Sequence, residues 1–195
     1  MSHQQELLLD QIRKLNHQIA DLNAHYWKLY NNVDTWQFWL NAVFLIVPLI
    51  VLLIYIDRKR VFQILFFGYT IHVLMNDLDI VSVLKGLVYH PYSLIPIPQV
   101  HLAIDTSFIP VFFMLVYQYS LNHKKNVYVL GILASACTGF LLGFFTEKTN
   151  LLQMYQWMHL WVLFLVNILE FFIAHWLTHF FLLFYRRGNR TTTMS

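Results

Sequence analysis

The chain has 195 residues, 58% of them hydrophobic and only 12% charged, where a soluble domain is roughly half apolar and about a quarter charged. That composition excludes a water-soluble fold, which could not cover so much apolar surface. The formal charge of +3 lies in short clusters beside apolar runs, which excludes the continuous basic face of a nucleic-acid footprint.

In chain order, the first 35 residues are polar and lack the charged start, apolar middle and small-residue cleavage site of a secretory signal peptide. They are therefore expected to stay in the chain. Leu8, Leu15, Leu22 and Leu29 recur every seven residues, with Ile12, Ile19, Tyr26 and Val33 in the complementary slot. This four-heptad seam predicts an amphipathic helix over 1–35. Its flanks carry Gln11, Asn16, Gln18, Asn23 and His25, so interhelical ion pairs would contribute little to partner choice. Three fates stay open for it: self-association or binding of a membrane partner, packing on the chain's own loops, or lying on the bilayer.

Apolar runs long enough for a hydrocarbon core of roughly 30 Å, about 20 helical residues, fall near 36–56, 61–81, 100–120, 127–146 and 157–185. Backbone groups in lipid must be paired internally, and the runs are too long and too uniformly apolar for barrel strands. The expected fold is all-α: a polytopic bundle of five transmembrane helices over 36–185, preceded by the heptad helix and followed by a basic tail, 186–195. Trp and Tyr gather near the ends of the runs, where amphipathic rings favour the headgroup zone. The connection 82–99 holds Pro91, Pro96 and Pro98 among Tyr and Ile. It is too apolar for a solvated loop and too proline-rich for a helix, and is expected to lie in the interface or dip into the protein.

Arg58, Lys59 and Arg60, then Lys124 and Lys125, then Arg186, Arg187 and Arg190 all fall on one side of the five helices. Retention of basic residues in the cytoplasm puts the N-terminus outside and the tail inside. Cys137 is the single cysteine, so there is no intramolecular disulfide and no cysteine-based metal motif.

Ionisable groups within membrane spans are costly and by default face the bundle interior. At about 100° per residue, His72, Asn76 and Asp79 share a face of the second span, with Asp77 turned away; His101 and Asp105 stack on the third; His159 and Glu170 are nearly eclipsed on the fifth, with Asn167 close by. A rise of about 1.5 Å per residue brings these faces to overlapping depths. The candidate polar cluster is therefore His72, Asn76, Asp79, His101, Asp105, His159, Asn167 and Glu170. Of these, Asp79, His101, Asp105 and His159 form a donor set for Zn²⁺ or another divalent ion. A proton or cation relay is the second reading, and mutual hydrogen bonding that locks the helices together is the third. His175 and His179 point away from Glu170 and form a separate feature. His90, His123 and the N-terminal His3, His17 and His25 are expected in exposed or interfacial settings. Gly139 and Gly143, with Gly131, give the fourth span a small-residue flank suited to close contact within the bundle or to dimerisation.

The stretch His90 to Tyr119, where HPYSLIPIP leads into a helix with Asp105, Pro110 and a closing Tyr117-Gln118-Tyr119, resembles a family of uncharacterised five-helix membrane proteins of Gram-positive, often spore-forming, bacteria. The resemblance extends from about Trp36 to Arg187 and implies a bacterial plasma-membrane protein. It implies no activity and no catalytic roles, and it does not include the heptad segment. A more distant likeness joins the chain to seven-helix membrane hydrolases that hold zinc with His and Asp, whose helix count and motifs it lacks. Common soluble-enzyme signatures are absent as well. The expected function is a non-enzymatic structural or interaction protein that uses the heptad helix for partner binding or self-association. The alternative is a membrane-embedded His/carboxylate site for metal-dependent hydrolysis or for proton or cation transport.

Overall fold

In the computed structural model, which describes residues 1–97 and 101–192 and only the backbone of 186–192, chain order runs α1 (His3–Tyr30), α2 (Trp36–Tyr55), α3 (Val61–Leu84), β1 (Val88–Tyr89), α4 (Ile104–Asn122), α5 (Val127–Lys148), β2 (Gln153–Met154) and α6 (Leu160–Thr192). Pro98 and the end of the basic tail lie outside the described residues. Five helices, α2 to α5 and the α6 stretch Leu160–Tyr185, are long and apolar enough to cross a bilayer. The all-α membrane bundle expected from composition is the observed architecture.

Side-chain contacts sort the connections between the two ends of the bundle. At one end the Asp57 N–H donates to Gln118 Oε1 (2.7 Å), Gln118 Nε2 donates to the Tyr55 carbonyl (2.9 Å), and Arg60 reaches Asn122 (3.2 Å). This is the basic end. At the other, β1 and β2 pair antiparallel, Val88 opposite Met154 and Tyr89 opposite Gln153. Trp27 Nε1 there donates to the Ser93 carbonyl (3.0 Å), and the Asn31 and Asn41 amides donate to the carbonyls of Pro91 (3.2 Å) and Tyr92 (3.1 Å). The proline-rich connection dips into the protein, with Pro91 and Ser93 buried, because polar side chains of α1 and α2 satisfy the carbonyls that its prolines leave without helical partners.

Three of the boundaries that differ from expectation have a local reason. α3 continues to Leu84, past the expected end near 81, since Asn76 bonds back to the His72 carbonyl and Asp79 finds a partner off the helix. α4 starts at Ile104, after His101 instead of before it. Its first turn, Ile104–Phe108, is a π-helix, which accommodates Pro110, a residue without an N–H that cannot close an ordinary turn. α1 ends at Tyr30, so Val33 falls beyond the helix and the heptad seam stops at Leu29.

α1 opens with a capping box, Ser2 Oγ accepting from the Gln5 N–H and Gln5 Oε1 accepting from the Ser2 N–H. It has no buried residue. Its seam leucines Leu8, Leu15 and Leu22 are 54%, 57% and 68% exposed, and it touches the bundle through its last turns alone.

Near the basic end the core is aromatic. Phe67 stacks on Tyr117 with centroids 4.2 Å apart, and Phe171 lies edge-on to Phe67 (5.1 Å) and Phe113 (5.3 Å). The glycine flank of α5 packs inside the bundle: a Cβ on Gly139 would meet the Phe164 backbone at 2.5 Å, and one on Gly131 would meet the Phe171 ring at 2.6 Å. Close approach of α5 to α6 is what these glycines permit.

Candidate metal centre

The half of the bundle next to α1 encloses a cavity of about 410 Å³, within the ~300–1,000 Å³ range of small-molecule sites. Its walls are mostly apolar, with Val88, Met158 and Val162 forming a buried cluster around it. The ionisable and amide groups reach it from four places: Asp79 from α3, His90 and His101 from the connection between α3 and α4, Asp105 from the π-turn of α4, and Asn167 and Glu170 from α6, with the Thr138 and Thr146 hydroxyls added from α5. No Lys or Arg lines it among the described residues.

Asp79, His90 and Asp105 each offer a ligand atom, and these atoms all lie within 4.8 Å of one another. His90 Nε2 bridges both oxygens of Asp79, at 2.9 and 3.0 Å. This contact supplies the partner that lets Asp79 sit within α3, and it fixes the His90 ring. The paired β1 and β2 carry His90 into the site, where its 5% exposure shows a buried group and overturns the expected surface imidazole.

His101 has the opposite hydrogen-bond pattern. Its Nδ1 accepts the Ile104 N–H (3.2 Å), the first free donor of α4, so the neutral ring carries its proton on Nε2. Burial, reinforced by the adjacent His90 ring, holds the imidazole well below its usual pKa. Among the described residues the Nε2–H is buried without a partner. His101 therefore offers a donor to the cavity rather than a metal-binding lone pair, which corrects its place in the expected ligand set.

Glu170, 2% exposed, has its Oε2 buried and unpaired among the described residues, while Asn167 Nδ2 donates to Thr138 Oγ1 at 2.8 Å. Thr138 lies in a second π-helical stretch, Cys137–Leu142 within α5. Three carboxyl groups thus share a largely buried space in which the His90 imidazole is the one close hydrogen-bond partner of Asp79 among the described residues. Such a group of anions is expensive in low dielectric unless a cation or protons neutralise it. Imidazole nitrogen with carboxylate oxygen is the donor chemistry of Zn²⁺, and three protein ligands leave a fourth position open, as in catalytic zinc sites.

The other expected members lie elsewhere. His159 is exposed in the turn before α6, because that helix starts one residue later. His72 and Asn76 are half-buried and paired with each other, Asn76 Nδ2 lying 2.7 Å from the His72 carbonyl oxygen and 3.0 Å from its Nδ1. Neither lines the cavity. His175 sits edge-on between Tyr117 (5.8 Å) and Tyr128 (5.5 Å), apart from this site as expected. His90 is the residue missed by sequence reasoning, and the signal for it was the apolar, proline-rich character of its own connection. No family model, no curated protein and no solved structure matches this chain, so the chemistry of the site rests on its geometry.

Proposed function

We propose that the chain is a membrane-embedded hydrolase that holds one divalent cation, Zn²⁺ by donor chemistry, on Asp79, His90 and Asp105. The observation that carries this reading is the convergence of those three ligand atoms within 4.8 Å at the wall of a largely apolar cavity. A bound ion would supply an acidified water and polarise a carbonyl oxygen. Glu170 Oε2 and the His101 Nε2–H have no partner among the described residues; the first would take that water's proton and the second would donate to the developing oxyanion.

Transport fits less well. Toward the basic end the cluster meets the stacked and edge-on rings of Phe67, Tyr117, Phe113 and Phe171, all at most 1% exposed, whose one polar group, the Tyr117 hydroxyl, is engaged by Gln63 Nε2 (2.9 Å). A conduction path would need ionisable or hydrated groups there.

The test is metal analysis of detergent-purified protein. About one equivalent of zinc, lost in Asp105→Asn and in His90→Ala, is expected. A preparation that takes up no divalent metal on reconstitution would overturn the reading.

A second reading concerns α1, whose exposed Leu8, Leu15 and Leu22 favour pairing with the same helix of another copy. Cross-linking through Leu15→Cys in membranes tests it: a disulfide-linked dimer is expected, and monomer under oxidising conditions would contradict it. The basic clusters and the five-helix resemblance support a bacterial plasma membrane, with α1 and the cavity on the outer side.

A further inference from the structure

We propose that the cavity takes a neutral, single-chain acyl ester or amide drawn sideways from the bilayer, its carbonyl at the His101 Nε2–H and its hydrocarbon chain along α6. This inference rests on the hydrolase reading and names the substrate class for the same site.

The entrance argues for lateral access. Among the lining residues, Leu78, Val81 and Trp157 are 43%, 53% and 57% exposed, which locates the mouth between α3 and the segment leading into α6. All three are apolar or amphipathic, and Leu78 is six residues from the end of α3, about 9 Å along the helix. The mouth therefore opens toward lipid tails near the interface. A water-soluble substrate would meet a greasy doorway, whereas a chain already in the bilayer loses little by turning in.

The walls argue for hydrocarbon. Val88, Met158 and Val162 are buried with their apolar atoms against the cavity, and Leu142, Leu163 and Val166 line it as well.

The polar wall decides the headgroup. Asp79, Asp105 and Glu170 face the cavity, and no Lys or Arg does among the described residues. A phosphate or a free carboxylate would therefore meet three carboxyls and at most one divalent ion, while an uncharged carbonyl needs one donor and one Lewis acid. His101 provides the donor. In the balanced step, water adds through oxygen to the carbonyl carbon and gives a proton to Glu170; the acyl C–O or C–N bond then breaks, and the leaving alcohol or amine takes that proton. A fatty acid and an alcohol or amine result, and no redox partner is required.

The experiment uses a monoacyl glycerol ester with a diazirine in its chain, irradiated with the purified full-length protein in detergent. Labelling of the α6 segment around Val162 and Val166 is expected, falling about tenfold in Val166→Trp, whose unchanged zinc content reports an intact fold. Leu142→Phe serves as a second blocking variant on another wall. Asp105→Asn is expected to keep the label and lose ester cleavage. The corresponding free fatty acid is expected to compete at least about tenfold less well than the ester. Label confined to the bilayer-facing Leu165 and Leu169, or label unaffected by both blocking variants, would overturn the proposal, as would equal competition by the fatty acid. Cavity labelling in a protein that binds no metal would sink the hydrolase reading and uphold the acyl-chain site. Metal without cavity labelling would do the reverse.

Discussion

The two halves of the bundle use the same helices to opposite ends. Toward the basic end, α3, α4 and α6 meet through Phe67, Phe113, Tyr117 and Phe171, buried rings that pack on one another, with the Tyr117 hydroxyl accepting from Gln63 Nε2. Toward α1, the same three helices diverge around a cavity and turn Asp79, Asp105 and Glu170 into it. The changeover coincides with two π-helical turns, Ile104–Phe108 in α4 and Cys137–Leu142 in α5, which rotate Asp105 and Thr138 relative to the regular helix below them. One half is built for stability, and the other holds costly groups that stability alone would not select.

This contrast can be broken at the stable half first. Phe171→Ala removes a ring in contact with Phe67 and Phe113 and is expected to cost about 3–5 kcal/mol, read as a large fall in thermal midpoint in detergent. A loss below about 1 kcal/mol would mean that the plug is loosely packed. Next come the glycines. Gly139→Ala places a methyl 2.5 Å from the Phe164 backbone, which cannot yield without moving α6, whereas Gly68→Ala meets only the Met114 thioether, which can swing away. The first is expected to cost about 1–3 kcal/mol and the second clearly less, measured on the same scale.

The cavity half is probed by Glu170→Gln, which removes a buried carboxyl while keeping its shape. Stability is expected to stay within about 1 kcal/mol of the parent or to rise, because a group kept for chemistry is relieved of its desolvation cost. A drop well beyond that would mark Glu170 as a packing residue and return the cluster to the role of structural glue.

The smallest effect lies where α1 docks. Burial, reinforced by neighbouring phenols, raises Tyr26 and Tyr89 above the ordinary value of 10.0. A folded-state pKa above the unfolded one means that their contribution is intact below pH 10 and is lost as pH climbs through the raised values. Trp27, bonded to the Ser93 carbonyl, reports on this contact. Its fluorescence is expected to stay constant up to about pH 10 and change above it. A change between pH 7 and 9 would assign the docking to other groups.

The helices were legible because five long apolar runs have one solution in lipid, and their observed bounds shift by only a few residues from the hydropathy pattern. Asp79, Asp105, Asn167 and Glu170 were legible for a related reason: polar groups in spans turn inward, and helical periodicity says which of them agree. His90 was not legible, since it lies on no helix and is brought in by the pairing of β1 with β2, two segments more than 60 residues apart. His159 was misplaced by a single residue at the start of α6, enough to put it in the exposed turn. His72 and Asn76 share the right face of α3 but satisfy each other, a local solution that spacing cannot distinguish from convergence on a site.

The most direct test of the account is zinc K-edge absorption on the reconstituted protein. One imidazole nitrogen among oxygen donors, all at about 2.0–2.2 Å, is expected, with the nitrogen signal lost in His90→Ala. A shell of several imidazoles, or a spectrum unchanged in that variant, would place the ion on other histidines of the chain and contradict the assignment of Asp79, His90 and Asp105 as its ligands.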